Sequence, residues 1–343
     1  MIISVDTIHD PVFVKKSRYN FLQKLLLHLI RDERDLPFIY LCLKITFIVI
    51  PVAIYLYIPG QFNWWIASLY LVLNLVIGLG PFVLMLHNTS HRKLFKKEFG
   101  LLNYYIPWVL GPFYGESPET YFHHHVAMHH PEENLPPDIS STMKYRRDSI
   151  GAFMTYFGRF FFIGIYELTL YFKQRKRTMF LRKVLLGESS FILMCILLSL
   201  INWKATLFVF ILPFVFVRFG MMAGNWAQHA FIDKNDPGNS YHNSITCINS
   251  AYNKKCFNDG YHIGHHLKPA MHWTDMPVDF IKNQNIYASQ KAVVFEGVDY
   301  FYIWFLLMTK NYNKLASKFV NINHAFPDRD SIIAFLKTRT AKI

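Results

Sequence analysis

Four long apolar runs constrain the fold of this chain more than any other feature of its sequence. The clearest, Trp64 to Leu86, has no charged residue over a length that crosses about 30 Å of hydrocarbon. The other three are Leu36 to Ile58, Val184 to Ile201 and Ala205 to Gly224. Hydrophobic residues make up 52% of the 343 residues and charged residues only 17%, below the usual share for soluble domains. We therefore expect a multi-pass integral membrane protein.

Short connectors join these runs in pairs, because residues 59–63 separate the first two runs and residues 202–204 the last two. Each pair therefore predicts a hairpin that crosses the membrane and returns. Lys204 is the only basic residue in the two connectors. The basic residues on the opposite side are Lys15, Lys16, Arg18, Lys24, Arg31, Arg34, Lys173, Arg175, Lys176, Arg177, Arg182 and Lys183. The positive-inside rule makes that side cytoplasmic, in the endoplasmic reticulum or a bacterial inner membrane.

Three further apolar stretches are too short or too charged to be assigned as spans. Leu101 to Tyr114 contains two prolines, which suits a re-entrant segment. Ile150 to Phe172 and Val293 to Met308 each contain charged residues, and we expect both to be helices that lie in the membrane interface.

The predicted fold class is an all-α integral membrane protein, with four transmembrane helices in two hairpins and a cytoplasmic, histidine-rich helical cap. Residues 1–35 form a cytoplasmic N-terminal segment in this interpretation, and no cleavable signal peptide is apparent. Residues 36–310 form the membrane domain that carries the histidines. Residues 311–343 form a cytoplasmic C-terminal tail.

Charge and cysteine content exclude two other classes of protein. The net charge of +13 comes from basic residues that flank the apolar runs, as juxtamembrane charge does, so we expect no nucleic-acid partner. The four cysteines do not form a disulfide framework, because Cys42 and Cys195 lie inside apolar runs. Cys247 and Cys256 lie on the predicted cytoplasmic side, where thiols stay reduced, and match no zinc-binding spacing.

The histidines are the residues most indicative of chemistry, and they occur in clusters. The clusters read HNTSH at 87–91, HHHVAMHH at 123–130, NWAQH at 225–229 and HIGHH at 262–266. All four clusters lie on the predicted cytoplasmic side, and two of them directly follow an apolar run. The candidate metal ligands in them are His87, His91, His125, His129, His130, His229, His262, His265 and His266.

The spacing within the clusters favours metal binding. Residues four apart share a helix face with Cβ atoms about 5–6 Å apart, so that two imidazoles can reach one ion. The pairs with this spacing are His87/His91, His125/His129, His262/His266 and Asn225/His229. The adjacent histidine of a box projects about 100° round the helix, towards a second ion or another side of the same site. Nine imidazoles are enough for two ions, and imidazole suits iron, zinc, copper or nickel.

The order HxxxH, HxxxHH, NxxxH and HxxHH on a four-span scaffold resembles the membrane fatty acid desaturase superfamily. The resemblance runs from about Leu36 to His272, and these histidine boxes are its strongest part. That family uses a non-haem di-iron centre, molecular oxygen and two electrons to remove hydrogens from a fatty acyl chain. The resemblance therefore implies an oxidoreductase with two iron ions, acting on an acyl lipid or an acyl-CoA within membrane lipids.

The resemblance also implies a role for each matching residue. The nine box histidines would ligate iron, and Asn225 resembles the family asparagine that holds a metal-bound water. The middle box departs from the HxxHH of many desaturases, and its longer form occurs in some branches and in related hydroxylases. Because three histidines run together at 123–125, His124 could take the place of His125.

Carboxylates near the boxes are expected to orient some of the imidazoles through their second ring nitrogen. The candidates are Glu116, Glu132, Glu133, Asp138 and Asp259. Glu188 lies inside the third apolar run, where an ionisable group is a functional candidate, although a solvated residue at the end of the span is an equal alternative.

The chain lacks the His-Pro-Gly-Gly motif of a fused cytochrome b5 domain, a CxxC iron–sulfur motif and a GxGxxG nucleotide motif. A separate electron donor of cytochrome b5, ferredoxin or rubredoxin type is therefore implied. Two alternatives stay open. One is a lipid hydroxylase or other di-iron monooxygenase on the same scaffold. The other is a non-enzymatic membrane metal-binding protein, which is disfavoured because the runs contain no ladder of ionisable residues for conduction.

Overall fold

The computed structural model describes residues 8–343, and 68% of the chain is helical. The helices of the first half are α1 Phe21–Leu29, α2 Leu36–Lys44, α3 Ile50–Tyr57, α4 Trp64–Leu73, α5 Leu79–His91, α6 Thr120–His124, α7 His130–Glu132 and α8 Ile150–Gln174. Those of the second half are α9 Thr178–Thr206, α10 Leu212–Gln228, α11 Ser240–Asn243, α12 Ala251–Lys255, α13 His262–Leu267, α14 Met276–Ser289, α15 Tyr300–Met308, α16 Tyr312–Lys318 and α17 Arg329–Arg339. The strands are β1 Ile245–Ile248 and β2 Val293–Glu296.

Several of these helices continue through tighter or wider turns. The 3-10 turns are Glu33–Asp35, Lys97–Tyr104, Gly111–Tyr114 and Ile322–His324. The π-helical turns are Ile45–Val49, Asn74–Gly78, Ile106–Leu110, His125–His129 and Leu207–Ile211. The stretch from Leu101 to Tyr114 therefore consists of short turns rather than one regular helix.

Three continuous helical segments are long and apolar enough to cross a membrane: Glu33–Tyr57, Trp64–His91 and Thr178–Gln228. The third segment has 51 residues, more than a single crossing requires. It is interrupted at Asn202, whose φ of −155° and ψ of 95° are extended rather than helical. The interruption falls in the connector expected from the sequence, and the division of this segment into two spans stays a prediction.

Prolines explain why the apolar helices widen where they do. The turns Ile45–Val49, Asn74–Gly78 and Leu207–Ile211 each end two or three residues before a proline, at positions 51, 81 and 213. Proline has no N–H to donate, and its ring clashes with the carbonyl one turn earlier. A π-helical turn absorbs this clash without ending the helix. Pro51 therefore lies within one continuous helical segment, Glu33–Tyr57.

The chain divides into two compact units. Unit 1 comprises Ala127–Glu167, Gly220–Ile343 and the N-terminal residues up to Phe13, of which 8–13 are described. Unit 2 comprises Val14–Val126 and Leu168–Phe219. The boundaries predicted for the N-terminal segment, membrane domain and C-terminal tail stay a prediction.

Unit 2 packs its apolar helices around small and aromatic side chains. Ala53, Ala67 and Ala205 are at most 1% exposed, and helices approach closely at such small residues. Asn74, in the middle of the second segment, donates from its side-chain amide to the carbonyl oxygen of Phe113 at 2.8 Å. At Gly187, an added Cβ would collide with the carbonyl oxygen of Pro118, so that α9 meets the loop 115–119 at this glycine.

Unit 1 contains a two-stranded parallel sheet that the all-α prediction did not include. In its register, Ile245 pairs with Val293 and Ile248 with Glu296. One face, including Cys247 and Phe295, packs on α15, α16 and α17, and the other face packs on α14. Because both faces are buried, the strands are mostly apolar rather than alternating, and Glu296 at the end of β2 is exposed. All four cysteines are unpaired, as predicted.

The prediction of one interfacial helix over Val293 to Met308 is therefore wrong. The segment starts as β2 and becomes helical only at Tyr300. Gly297 turns the chain with a φ of +68°, and the side chain of Asp299 caps α15 by accepting from the backbone N–H of Tyr302 at 2.8 Å. A short apolar run has no periodicity that separates a buried strand from a helix. The expected helix is present over Ile150–Gln174, and its position in the membrane interface stays a prediction.

The C-terminal residues are tied into unit 1 by Arg147, which is fully buried. Its guanidinium donates to the carbonyl oxygens of Ala230 at 2.9 Å and Arg339 at 3.0 Å, as well as to those of Thr142, Met143, Tyr145 and Ala341. Burial lowers the pKa of Arg147 to about 10, so that the side chain is still charged at neutral pH. Arg147 thus joins three separate segments of unit 1.

We predict that Arg147→Met destabilises the protein by at least about 3 kcal/mol, because several buried carbonyl groups lose their donor together. Arg146→Met is the matched control, since Arg146 is 65% exposed and pairs only with Asp148 at 2.7 Å. Thermal unfolding of the detergent-solubilised protein measures both variants. Equal melting temperatures for the two would contradict the role given to Arg147.

Candidate metal centre

Four histidines from three parts of unit 1 form a buried cluster. Their ligand nitrogens lie within 4.8 Å of one another, and no side chain is more than 5% exposed. The members of this cluster, called the four-histidine cluster below, are His129, His229, His262 and His266. The Nε2 atom of His262 lies 3.3 Å from that of His229 and 3.0 Å from that of His266.

The backbone segments that carry the histidines are held in place by helices and hydrogen bonds. His262 and His266 lie one turn apart on α13, as their spacing predicted. The segment before α13 is fixed on β1, because the N–H of Cys247 donates to the carbonyl oxygen of Gly260 at 2.7 Å and no Cβ would fit at Gly260. His229 directly follows α10, and its carbonyl oxygen accepts from the Thr142 hydroxyl at 2.7 Å.

Hydrogen bonds at the outer ring nitrogens fix the orientation of two members. Nδ1 of His129 lies 2.6 Å from the carboxylate of Asp138, and Nδ1 of His229 lies 2.8 Å from the carbonyl oxygen of Asn243. Because a carbonyl oxygen can only accept, the proton of neutral His229 is on Nδ1. Its Nε2 therefore presents a lone pair to the centre of the cluster, and the carboxylate imposes the same arrangement on His129.

Asp138 is itself held in place by neighbouring donors. Its carboxylate accepts from the backbone N–H groups of Asn134 at 3.0 Å and Ser140 at 2.7 Å. The Ser140 hydroxyl adds a third bond at 2.6 Å. Asn134 also donates to Asn243 at 2.8 Å, which links the supports of His129 and His229. The sequence offered five candidate carboxylates for this role, and the structure places Asp138 against a box histidine.

Burial keeps two members of the cluster uncharged at neutral pH. Desolvation, with the neighbouring His129 as a smaller cause, lowers the pKa of His229 to about 3. Desolvation and the other box histidines place the pKa of His266 well below its usual value. Neutral imidazoles with converging lone pairs repel one another unless a cation lies between them. The donor set therefore fits a metal ion of the kind that imidazole binds.

The remaining box histidines form two further groups, one in each unit. In unit 2, His87, His91 and His125 have ligand nitrogens within 4.8 Å of one another, and the Nε2 atoms of His91 and His125 are 3.1 Å apart. In unit 1, the Nε2 atoms of His130 and His265 are 2.9 Å apart. These two residues are the adjacent histidines that the spacing predicted to project away from their neighbours.

Two other predicted site residues lie outside these groups. The structure brings His125, rather than His124, to His87 and His91. Asn225 donates from its amide nitrogen to the hydroxyl of Tyr156 at 2.8 Å and to the carbonyl oxygen of Ser140 at 3.1 Å. Its proposed contact with a metal-bound water stays a prediction.

Sequence reasoning missed the pairing of buried charges in unit 2. Glu188 is 7% exposed and pairs with Arg218 at 3.1 Å, while the Ser117 hydroxyl donates to the same carboxylate. Glu188 is therefore not a solvated residue at the end of a span. Glu116 is buried beside this pair, and desolvation raises the pKa of Glu116 to about 7, although Arg218 acts in the opposite direction. The signal in the sequence was one charge of each sign in neighbouring apolar runs.

Comparison with known families gives one match. The fatty acid desaturase family model matches residues 62–296, which is more than half of the chain and includes all four histidine boxes. The chain therefore belongs to the fatty acid desaturase family, as its motifs indicated. Comparison with curated proteins and with solved structures finds no match.

We predict that Asp138→Asn weakens metal binding about 10- to 100-fold, because the amide no longer fixes the proton on Nδ1 of His129. Asp236→Asn is the matched control, since Asp236 pairs with His242 at 3.1 Å but is 55% exposed and outside the clusters. Chelator competition with the purified protein gives both affinities. An unchanged affinity in Asp138→Asn would show that this carboxylate does not support the metal.

Proposed function

We propose that this chain is a membrane desaturase that removes one hydrogen from each of two adjacent methylenes of a fatty acyl chain. The observation that carries the proposal is the buried four-histidine cluster, within a chain of the desaturase family. Its substrate is an acyl lipid or an acyl-CoA, in keeping with the membrane-spanning character of three helical segments.

Two iron ions are the proposed cofactor, and the nine box histidines are the proposed ligands. The four-histidine cluster would hold one ion, and the group of His87, His91 and His125 would supply ligands for the other. His130 and His265 are the remaining ligands, with Asn225 contributing through a water. When bound, the iron supplies the one-electron chemistry with molecular oxygen that unactivated C–H bonds require.

The chain's own residues serve this chemistry by orienting ligands and excluding water. Asp138 and the carbonyl oxygen of Asn243 hold the protons of two imidazoles on Nδ1, which leaves Nε2 for the metal. The near-complete burial of the four-histidine cluster keeps solvent protons from its nitrogens.

Atoms and electrons balance only with a separate reductant. One double bond requires one O₂, two electrons and two protons, and it yields two molecules of water. The electrons come from a donor protein of cytochrome b5, ferredoxin or rubredoxin type, because the sequence has no motif for an internal haem, flavin or iron–sulfur group.

The proposed topology has four spans in two hairpins, with the histidine boxes in a cytoplasmic cap. The extended backbone at Asn202 supports a division of Thr178–Gln228 into two spans. The excess of basic residues at the other ends of the spans supports the cytoplasmic orientation, in the endoplasmic reticulum or a bacterial inner membrane. Residues 1–35 and 311–343 are proposed to be cytoplasmic as well.

Expression in a host with simple lipids, followed by gas chromatography–mass spectrometry of total fatty acids, tests the proposal. We expect a new fatty acid two mass units lighter than its precursor. A product sixteen units heavier would instead establish a hydroxylase on the same scaffold. The absence of both products, together with zinc rather than iron in the purified protein, would contradict an oxygen-dependent function.

In the same assay we predict that His266→Ala abolishes the product while the protein still accumulates in membranes. His266 is 5% exposed and lies 3.0 Å from its neighbour in the cluster, so its loss removes an inner ligand. His324→Ala is the control, because His324 is exposed in a 3-10 turn and belongs to no histidine group of the described chain. Full activity of His266→Ala would remove this residue from the site.

A further inference from the structure

Unit 2 contains a cavity of about 370 Å³ that the proposed chemistry does not use. Its wall includes Leu86, Thr89 and Ser90 of α5, which lie on a different face of that helix from His87 and His91. Loop residues Glu116 and Ser117 form a buried floor, and basic side chains surround the opening. The lining thus combines a buried carboxyl group with exposed basic side chains.

The floor carries an incompletely satisfied carboxyl group. Glu116 is 3% exposed, and its Oε1 atom has no hydrogen-bond partner among residues 8–343. The nearby guanidinium of Arg218 pairs with Glu188, so that two buried carboxyl groups share one cation. A buried carboxyl without its own donor is costly, and a cationic hydrogen-bond donor in the cavity would remove that cost.

The opening carries cations that the fold does not neutralise. Arg31, Lys93 and Lys97, called the rim cations below, are exposed and form no ion pair with a carboxylate in the described chain. Lys183 at the same opening does pair, with Glu119 at 3.4 Å. The rim cations are therefore available to an anion such as a phosphate.

The position of the cavity along the helices indicates a lipid. Arg31 shortly precedes the apolar segment Glu33–Tyr57, and the other two rim cations follow Trp64–His91. Lys183 lies in the first turns of Thr178–Gln228. Residues at the ends of membrane spans lie at the level of the lipid head groups.

We propose that this cavity binds the zwitterionic head group of a phospholipid with a primary ammonium, the ammonium at Glu116 and the phosphate at the rim cations. In an ethanolamine head group, two carbons join the phosphate group to the ammonium. The phosphate can therefore contact the rim cations while the ammonium reaches Glu116. A primary ammonium donates hydrogen bonds to the unpartnered carboxyl oxygen, whereas a trimethylammonium group has no N–H to donate. The binding site is inferred from residues of unit 2 alone. The further statement that the bound phospholipid is also the acyl substrate rests on the proposed function.

Native mass spectrometry of the full-length protein in detergent tests the proposal with phosphatidylethanolamine, its mono- and dimethyl derivatives, phosphatidylcholine and phosphatidylglycerol. We expect phosphatidylethanolamine to bind at least tenfold more tightly than phosphatidylcholine, with affinity falling at each methylation. This series uses the native chain, so it does not depend on the folding of a variant. Equal affinity across the series, or tightest binding of phosphatidylglycerol, would overturn the proposal.

Variants then assign the two ends of the head group. Glu116→Gln should abolish the preference for phosphatidylethanolamine, whereas Glu98→Gln, at an exposed carboxylate outside the cavity, should preserve it. Lys93→Gln combined with Lys97→Gln should weaken the binding of all five phospholipids, and Lys96→Gln is its control outside the cavity lining. A preference that survives Glu116→Gln would overturn the role of the floor. Because binding is measured without turnover, a failure to form product would bear on the proposed function alone.

Discussion

Converging lone pairs of neutral imidazoles are the constraint on which unit 1 depends. In the four-histidine cluster, burial prevents His229 from relieving this repulsion by protonation. A cation shared by the inner nitrogens relieves it, while hydrogen bonds at the outer nitrogens hold the rings of His129 and His229 in place. The metal-binding character of the site therefore follows from the arrangement of protons as much as from the number of histidines.

The supports of these rings come from segments far apart in the sequence. Asp138 lies on the loop after the middle box, and Asn243 ends α11, which follows α10 by more than ten residues. The backbone N–H of Asn134 donates to the Asp138 carboxylate and its side-chain amide donates to Asn243, so that the two supports are coupled. Arg147 closes the same unit by joining the loop before α8, the end of α10 and the C-terminal residues. A perturbation of any one segment is thus transmitted to the ligands.

In unit 2, burial acts on charged side chains rather than on imidazoles. Glu188 and Arg218 neutralise each other inside apolar helices, and Ser117 completes their hydrogen bonds. Glu116, next to them, has no such partner and opens into a cavity. A buried pair is stable in a low-dielectric surrounding, whereas a single buried carboxyl group invites a proton or a ligand. Glu188 and Arg218 therefore form a structural ion pair, whereas Glu116 is a candidate binding residue.

The sequence by itself determined the apolar runs, the family and the histidines, because helical spacing and hydropathy act over a few residues. It identified His262 and His266 as a pair on one helix face, and that pair is present on α13. It failed at Val293 to Met308, where pairing with β1 decides the strand, and it left five candidate carboxylates, of which the structure places Asp138 against His129. Only the tertiary structure decided which histidines meet and which buried charges are paired, because those contacts join segments that local patterns cannot bring together.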